Sequence, residues 1–281
     1  DLTDPLRPVL ARTMDVDARR LVTNGSAVAI SDADGAVRLH RAVDLVGGAG
    51  HADATGHADE AGAEPVLLPA RGPVAALAMS DTLLAVGWGE RTVGLYDLTR
   101  PTNDPTTLPT GGTSADRLAF AGPWIAVAAA GGRELVVLDP RHGGGAPVAR
   151  AATRAPIRDL RGADGLLVVM TREGTELVTV APDGALEHVA EVDARTVEDA
   201  VVHGTTLYLA DGFRGLRVFS IADPATPRET SRCDEGYAAR IALLPRAVSS
   251  TPTAGPATVH LLVTDADTLQ TIEILVPPWL E

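Results

Sequence analysis

The order of hydrophobic and polar residues repeats along the chain about every 42 residues. In each copy, a continuous apolar segment is followed by a Gly-rich turn and then by a segment in which apolar and polar residues alternate. A continuous apolar run is typical of a strand buried on both faces, and alternation is typical of a strand buried on one face. The clearest copies are residues 83–98, 124–139, 166–180 and 207–221. Spacings of 41, 42 and 41 residues separate the corresponding positions Leu84, Ile125, Leu167 and Tyr208.

Each copy is preceded by a short apolar segment and followed by a Pro-rich loop and a polar segment, so one unit predicts four strands. Proline is tolerated at an exposed sheet edge, where the polar fourth strand would lie. Two weaker copies, residues 26–40 and 259–275, raise the number of units to six. Units of this length arranged radially form a propeller. We therefore predict an all-β fold: one six-bladed β-propeller domain over residues 1–281, with insertions at about 46–64 and 246–257.

The start of the chain resembles the end of a unit. Residues 1–9 read DLTDPLRPV, similar to the loop and outer strand at residues 98–106 and 221–229. The last unit, which ends near Val276, lacks such a strand of its own. We therefore expect residues 1–14 to supply the fourth strand of the last blade, which would pair two sheet edges that otherwise invite aggregation.

Composition excludes several classes of protein. Hydrophobic residues make up 45% of the chain, which allows a full core, and no apolar run approaches the length of a transmembrane helix. The net charge of −13 argues against a nucleic-acid partner, because binding phosphates requires clustered cations. The single cysteine, Cys233, excludes an internal disulfide framework. Sequence motifs of serine hydrolases, P-loop proteins, HExxH metalloproteases and dinucleotide-binding folds do not occur.

The unit at residues 201–227 reads VVHGTTLYLADGFRGLRVFSIADPATP. It resembles the LVIVD repeat, and the matching positions are Tyr208, Ala210, Gly215, Leu216, Val218, Asp223, Pro224 and Pro227. Residues 95–105 keep much of this pattern, whereas the other units match it more weakly. The resemblance implies a β-propeller and a secreted, periplasmic or cell-surface setting in a bacterium or archaeon. It implies no shared set of catalytic residues.

Charged residues recur just before the first strand of units three to six. These positions would surround the mouth of a central channel, and alternating Arg and carboxylate side chains there could bind an anionic or zwitterionic ligand. The alternative is a ring of ion pairs that only neutralises a narrow channel. The candidate residues are Arg117, Arg158, Asp159, Glu198, Asp199 and Arg240.

The first insertion carries the tripeptide His-Ala-Asp twice, at His51 and His57. Two imidazoles close to several carboxylates could bind a divalent metal ion. The spacing matches no recognised ligand pattern, and the Gly- and Ala-rich flanks favour a solvated loop instead. Apart from this possible metal, the sequence predicts no cofactor.

Trp88, Phe213 and Arg214 lie in the Gly-rich hairpins of the second and fifth units, where they could anchor a partner. The sequence therefore favours a non-enzymatic scaffold that binds a protein, peptide or glycan at one rim. One alternative is a hydrolase or lyase with its site at the channel mouth, with or without a metal. Another is a structural subunit of a surface assembly.

Overall fold

A computed structural model describes residues 17–42, 64–69, 71–234, 236–243, 258–264 and 269–275. The secondary-structure elements defined in this part of the chain are all β-strands. They form six sheets, and within each sheet every strand lies next to the strand that follows it in sequence. Five sheets have four strands and one has three. The predicted all-β fold of successive four-stranded sheets is confirmed for those five.

The first three sheets cover the chain up to residue 152. The first contains β1 (Ala18–Thr23), β2 (Ala27–Asp32), β3 (Val37–Arg41) and β4 (Val66–Leu68). The second contains β5 (Ala76–Met79), β6 (Leu83–Gly87), β7 (Thr92–Asp97) and β8 (Thr106–Pro109). The third contains β9 (Arg117–Ala121), β10 (Trp124–Ala128), β11 (Glu134–Leu138) and β12 (Ala149–Ala152).

The last three sheets follow the same order. The fourth contains β13 (Ile157–Ala163), β14 (Leu166–Thr171), β15 (Thr175–Val180) and β16 (Leu186–Val192). The fifth contains β17 (Asp199–His203), β18 (Thr206–Ala210), β19 (Leu216–Ser220) and β20 (Arg228–Cys233). The sixth contains β21 (Arg240–Leu243), β22 (Thr258–Thr264) and β23 (Leu269–Leu275).

By their contacts the described residues fall into two compact units, one containing residues 17–129 and 136–149 and the other containing residues 130–135 and those from 150 onward. In the first unit β5 lies between β1 and β9, and in the second β17 lies between β13 and β21. The first strands of successive sheets are therefore neighbours within each unit. Charged residues at the starts of these strands are brought together in this way.

Burial follows the hydrophobic pattern of the sequence. The second strands β10, β14 and β18 are buried along their whole length, as their continuous apolar segments predict. The fourth strand β20, RETSRC, is exposed at all but its last residue. In the second unit one core cluster is formed by apolar side chains of β14 to β19, with Val168, Leu209 and Phe219 among its buried residues. A second cluster joins β18 and β19 to β21 and β22, with Ile241 and Val263 among its buried residues.

Candidate functional site

The second unit carries a network of ion pairs where its first strands begin. Arg161 on β13 donates from Nη1 to Oδ2 of Asp159 at 2.9 Å, and from Nη2 to Oδ1 of Asp199 on β17 at 2.7 Å. Burial opposes the charge of Arg161, but the two carboxylates outweigh it and raise the pKa of the guanidinium. Arg161 therefore joins β13 to β17 as a permanently charged group.

The network extends to the next first strand. Arg158 contacts Glu198, with 3.1 Å between Nη2 and Oε2, and Nη1 of Arg240 donates to the backbone oxygen of Glu198 at 3.2 Å. The second carboxylate oxygen of Asp199 accepts the backbone N–H of Ile241 on β21 at 3.2 Å. One carboxylate, Asp199, thus binds both neighbouring strands.

Five of the six predicted channel-mouth residues lie in this network: Arg158, Asp159, Glu198, Asp199 and Arg240. Arg117 belongs to β9 in the first unit, where its Nη1 donates to the backbone oxygen of Asp116 at 2.7 Å. Within this network Arg158 pairs with Glu198, and Arg161 pairs with Asp159 and Asp199. Ion pairing of this kind is what the alternative raised from the sequence predicts, whereas a channel mouth at this place stays a prediction.

A second polar cluster fixes the hairpin between β18 and β19. Asp211, the first hairpin residue, is fully buried, and its Oδ2 lies 3.0 Å from Nη1 of Arg217. Thr196 donates its hydroxyl to Oδ1 of the same carboxylate at 2.7 Å. Arg217 also binds Glu229 on β20, with 2.7 Å between Nη2 and Oε2. The buried charges are therefore paired with opposite charges, which is the condition under which such charges are tolerated.

Glu229 joins this cluster to the surface. Hydrogen bonds from Arg232 and Arg217 lower the pKa of its carboxyl from 4.5 to about 2. The carboxylate therefore stays charged at neutral pH and holds the end of Arg217. Burial opposes the charge of Arg217, but Glu229 and Asp211 outweigh it and raise its pKa.

The tip of the same hairpin carries an exposed aromatic residue. Phe213 is 88% exposed, and its ring meets the edge of Tyr237 with 4.7 Å between centroids and 67° between planes. Gly212 pairs with Ala238 by backbone hydrogen bonds in both directions, which places the residues before β21 against the hairpin. Arg214 is exposed beside Phe213. The structure thus brings two predicted partner-binding residues together and adds Tyr237.

Trp88, the third predicted partner-binding residue, has a different position. It is 7% exposed and lies in the core of the first unit, with its ring over Gly94 of β7. The predicted surface location of Trp88 is therefore wrong. A hairpin sequence shows which residues it contains but not which of them point inward, and Gly94 leaves the space that the indole ring fills.

The predicted metal residues His51 and His57 lie outside the described residues. Within the described ranges, no group of three or more His, Cys, Asp or Glu side chains is placed to hold a metal ion. Those ranges also contain no helix that is long and apolar enough to cross a membrane.

Sequence reasoning missed Arg161, Asp211, Arg217 and Tyr237. Arg217 is a polar residue of the alternating strand β19, and such a position predicts exposure, yet Arg217 is 6% exposed. The available signal was the strand register of the hairpin. Arg217 is opposite Leu209, so Asp211, two residues further along the chain, is its diagonal neighbour, and opposite charges at such positions can interact.

Comparison with known proteins identifies the fold but no family. No protein-family model and no curated protein matches the sequence. A computationally designed protein, Ika8, is 13% identical with a TM-score of 0.59, covering 91% of this chain and 72% of that one. A chain from the mitotic checkpoint complex is 16% identical with a TM-score of 0.62, covering 90% and 72%.

Hsv2 of Kluyveromyces lactis is 16% identical with a TM-score of 0.54, covering 79% of this chain and 66% of that one. At these identities the likeness concerns the fold alone. The chain has an all-β, β-propeller-like fold.

Proposed function

We propose that this protein is a non-enzymatic binding scaffold whose partner, a protein or peptide, docks on the hairpin between β18 and β19. The observation that carries the proposal is Phe213, a large apolar side chain that is 88% exposed at the hairpin tip. Large aromatic side chains are frequent anchors of protein interfaces. Exposure of a whole phenyl ring leaves about 1.5–3 kcal/mol of burial energy available to a partner.

The hairpin that presents Phe213 is fixed before any partner arrives. Asp211 and Arg217 pair beneath the tip, and backbone hydrogen bonds between Gly212 and Ala238 tie it to the segment before β21. A preorganised site loses less conformational entropy on binding than a mobile loop does. The rigidity of the hairpin therefore supports a binding role.

A protein or peptide suits this tip better than a glycan. Phe213 meets Tyr237 edge to face, which forms a small apolar shelf that fits an aliphatic or aromatic side chain. A similar structure, the chain from the mitotic checkpoint complex, was solved within a protein complex, which is in keeping with this choice.

The test is selection of 12-residue peptides from a random displayed library on the purified protein, followed by fluorescence anisotropy with the selected peptides. Phe213→Ala is expected to weaken binding about tenfold or more, because a central aromatic anchor contributes at least about 1.4 kcal/mol. Val148→Ala, at another exposed apolar residue in the first unit, is the matched control and should bind as the wild type does. Equal binding by Phe213→Ala would overturn the proposal.

We also propose that the six sheets are the blades of a closed six-bladed ring and that residues 1–14 complete the last blade. The sixth sheet has three described strands where the others have four, and the first strands are neighbours within each unit. Membership of the LVIVD-repeat family and an exported setting stay predictions.

Deletion of residues 1–14 tests ring closure by hydrogen exchange. In the intact chain the amides of β23 that face away from β22 should be protected by the added strand, and the deletion should speed their exchange. Amides of β18, which is paired on both sides, serve as the internal control. Unchanged exchange in β23 would overturn the closure proposal.

A further inference from the structure

Arg214 is the exposed neighbour of Phe213, and no described residue forms a hydrogen bond or ion pair with its guanidinium. This differs from the other arginines around the hairpin. Arg217 is buried between Asp211 and Glu229, and Arg232 is bound to Glu229. Arg214 therefore has five N–H donors that no described residue engages, and it lies beside an exposed aromatic ring.

The carboxylates near the hairpin are already engaged within the described part of the chain. Asp211 is held by Arg217, Asp193 lies 3.4 Å from Arg195, and Asp234 lies 3.7 Å from Arg232. Glu198 is bound to Arg158 in the neighbouring network. Of these charged groups, Arg214 is the one that has no partner among the described residues, and it lies next to the exposed ring of Phe213.

We propose that the hairpin recognises a peptide segment in which an apolar side chain packs on Phe213 and a nearby carboxylate pairs with Arg214. This inference rests on the proposed function and adds the chemistry of the partner. A guanidinium can bind both oxygens of a carboxylate, which fixes direction as well as charge. Phe213 would then select the apolar side chain of the peptide, and Arg214 would select the carboxylate next to it.

The net charge of −13 does not prevent this selection. At physiological ionic strength the Debye length is about 8 Å, so acidic groups beyond that distance are largely screened from the hairpin tip. A carboxylate in direct contact with Arg214 is not screened in this way. The contact between Arg214 and the peptide carboxylate therefore decides whether the hairpin prefers an acidic peptide.

The experiment uses the peptides whose selection depends on Phe213, remade in three versions with Glu, Gln or Lys flanking the apolar anchor. Wild-type protein should bind the Glu version about fivefold more tightly than the Gln version, as expected for an exposed ion pair of up to about 1 kcal/mol. Arg214→Ala should remove this preference, and Arg214→Glu should reverse it in favour of Lys. Arg172→Ala, which changes the exposed arginine in the β14–β15 hairpin, is the matched control and should keep the preference.

The outcomes separate the two proposals. If Phe213-dependent peptides show no charge preference, or if Arg214→Glu keeps the wild-type preference, this inference is overturned while the proposed function stands. If no selected peptide depends on Phe213, the proposed function fails and this inference fails with it. Phe213 dependence together with reversal by Arg214→Glu supports both.

Discussion

The hairpins β6–β7 and β18–β19 occupy the same place in the second and fifth sheets, yet they are stabilised by different interactions. Gly87 pairs with Val93 at the base of one hairpin, and Ala210 pairs with Leu216 at the base of the other, with five residues between in each case. By this register Trp88 corresponds to Asp211. Gly94 likewise corresponds to Arg217.

The first hairpin is therefore held by an indole ring packed on a glycine, and the second by a buried ion pair. A Cβ atom at Gly94 would lie 2.2 Å from Cη2 of Trp88, so the ring takes the space that a side chain would need. In the fifth sheet Nη1 of Arg217 on β19 lies 3.0 Å from Oδ2 of Asp211 in the hairpin. The same hairpin backbone can thus be stabilised at its base either by apolar packing or by an ion pair.

The two hairpin tips also differ. Glu90 and Arg91 occupy the positions that correspond to Phe213 and Arg214, and all four residues are exposed. The first tip is a balanced pair of charges, whereas the second combines an apolar ring with a cation. The comparison teaches that the base determines stability and the tip determines what the surface offers to a partner, and four variants test this division.

Breaking the ion pair at the base of β18–β19 should have the largest effect. Asp211→Ala leaves the charge of Arg217 buried with less compensation, and loss of one partner of a buried pair costs about 3–5 kcal/mol. Urea unfolding measures this loss. The double variant Asp211→Ala/Arg217→Leu removes both charges and should regain part of the stability, so a double variant less stable than Asp211→Ala would contradict the assignment.

At the base of β6–β7, Gly94→Ala should lower the free energy of unfolding by about 1–3 kcal/mol, as overpacking of a core does. The added methyl group would displace Trp88 toward solvent and shift tryptophan fluorescence to longer wavelength. Adding Trp88→Leu to Gly94→Ala should relieve the clash and restore part of the stability. Unchanged fluorescence and stability in Gly94→Ala would show that the ring does not depend on this glycine.

Acid should weaken the cluster beneath the second hairpin. The pKa of Glu229 is lowered from 4.5 to about 2, so its contribution is full above about pH 4.5 and is lost as the pH falls toward 2. Glu229→Gln should remove this part of the pH dependence, about 1 kcal/mol after allowance for solvent screening. The measurement is urea unfolding of the wild type and of Glu229→Gln at several pH values between 5 and 2.5. If the free energy of unfolding fell equally with pH in the two proteins, this role of Glu229 would be refuted.

The smallest effect on stability is expected at the tip. Phe213→Ala should change the free energy of unfolding by no more than about 0.5 kcal/mol, because an exposed side chain contributes little to folding. Thermal unfolding of this variant beside the wild type measures the change. A loss comparable to that of Asp211→Ala would mean that Phe213 is part of the base and not of a binding surface.

Much of the fold could be predicted from the sequence, since the apolar segments that became β10, β14 and β18 are distinct from the alternating segments around them. The clustering of Arg158 with Glu198 also followed from their positions near the starts of successive first strands. The inward packing of Trp88 did not, because it depends on an empty space above Gly94 that only the strand register reveals. The burial of Arg217 was missed for the same reason.

The division between base and tip has a consequence for how this surface can evolve. Changes at Phe213 and Arg214 alter what the hairpin displays, while Asp211 and Arg217 keep its backbone in place. New binding preferences can therefore arise by single substitutions without a compensating change in the core. The same property makes the hairpin a suitable position for randomised libraries, because the residues that stabilise it are not the residues that would contact a partner.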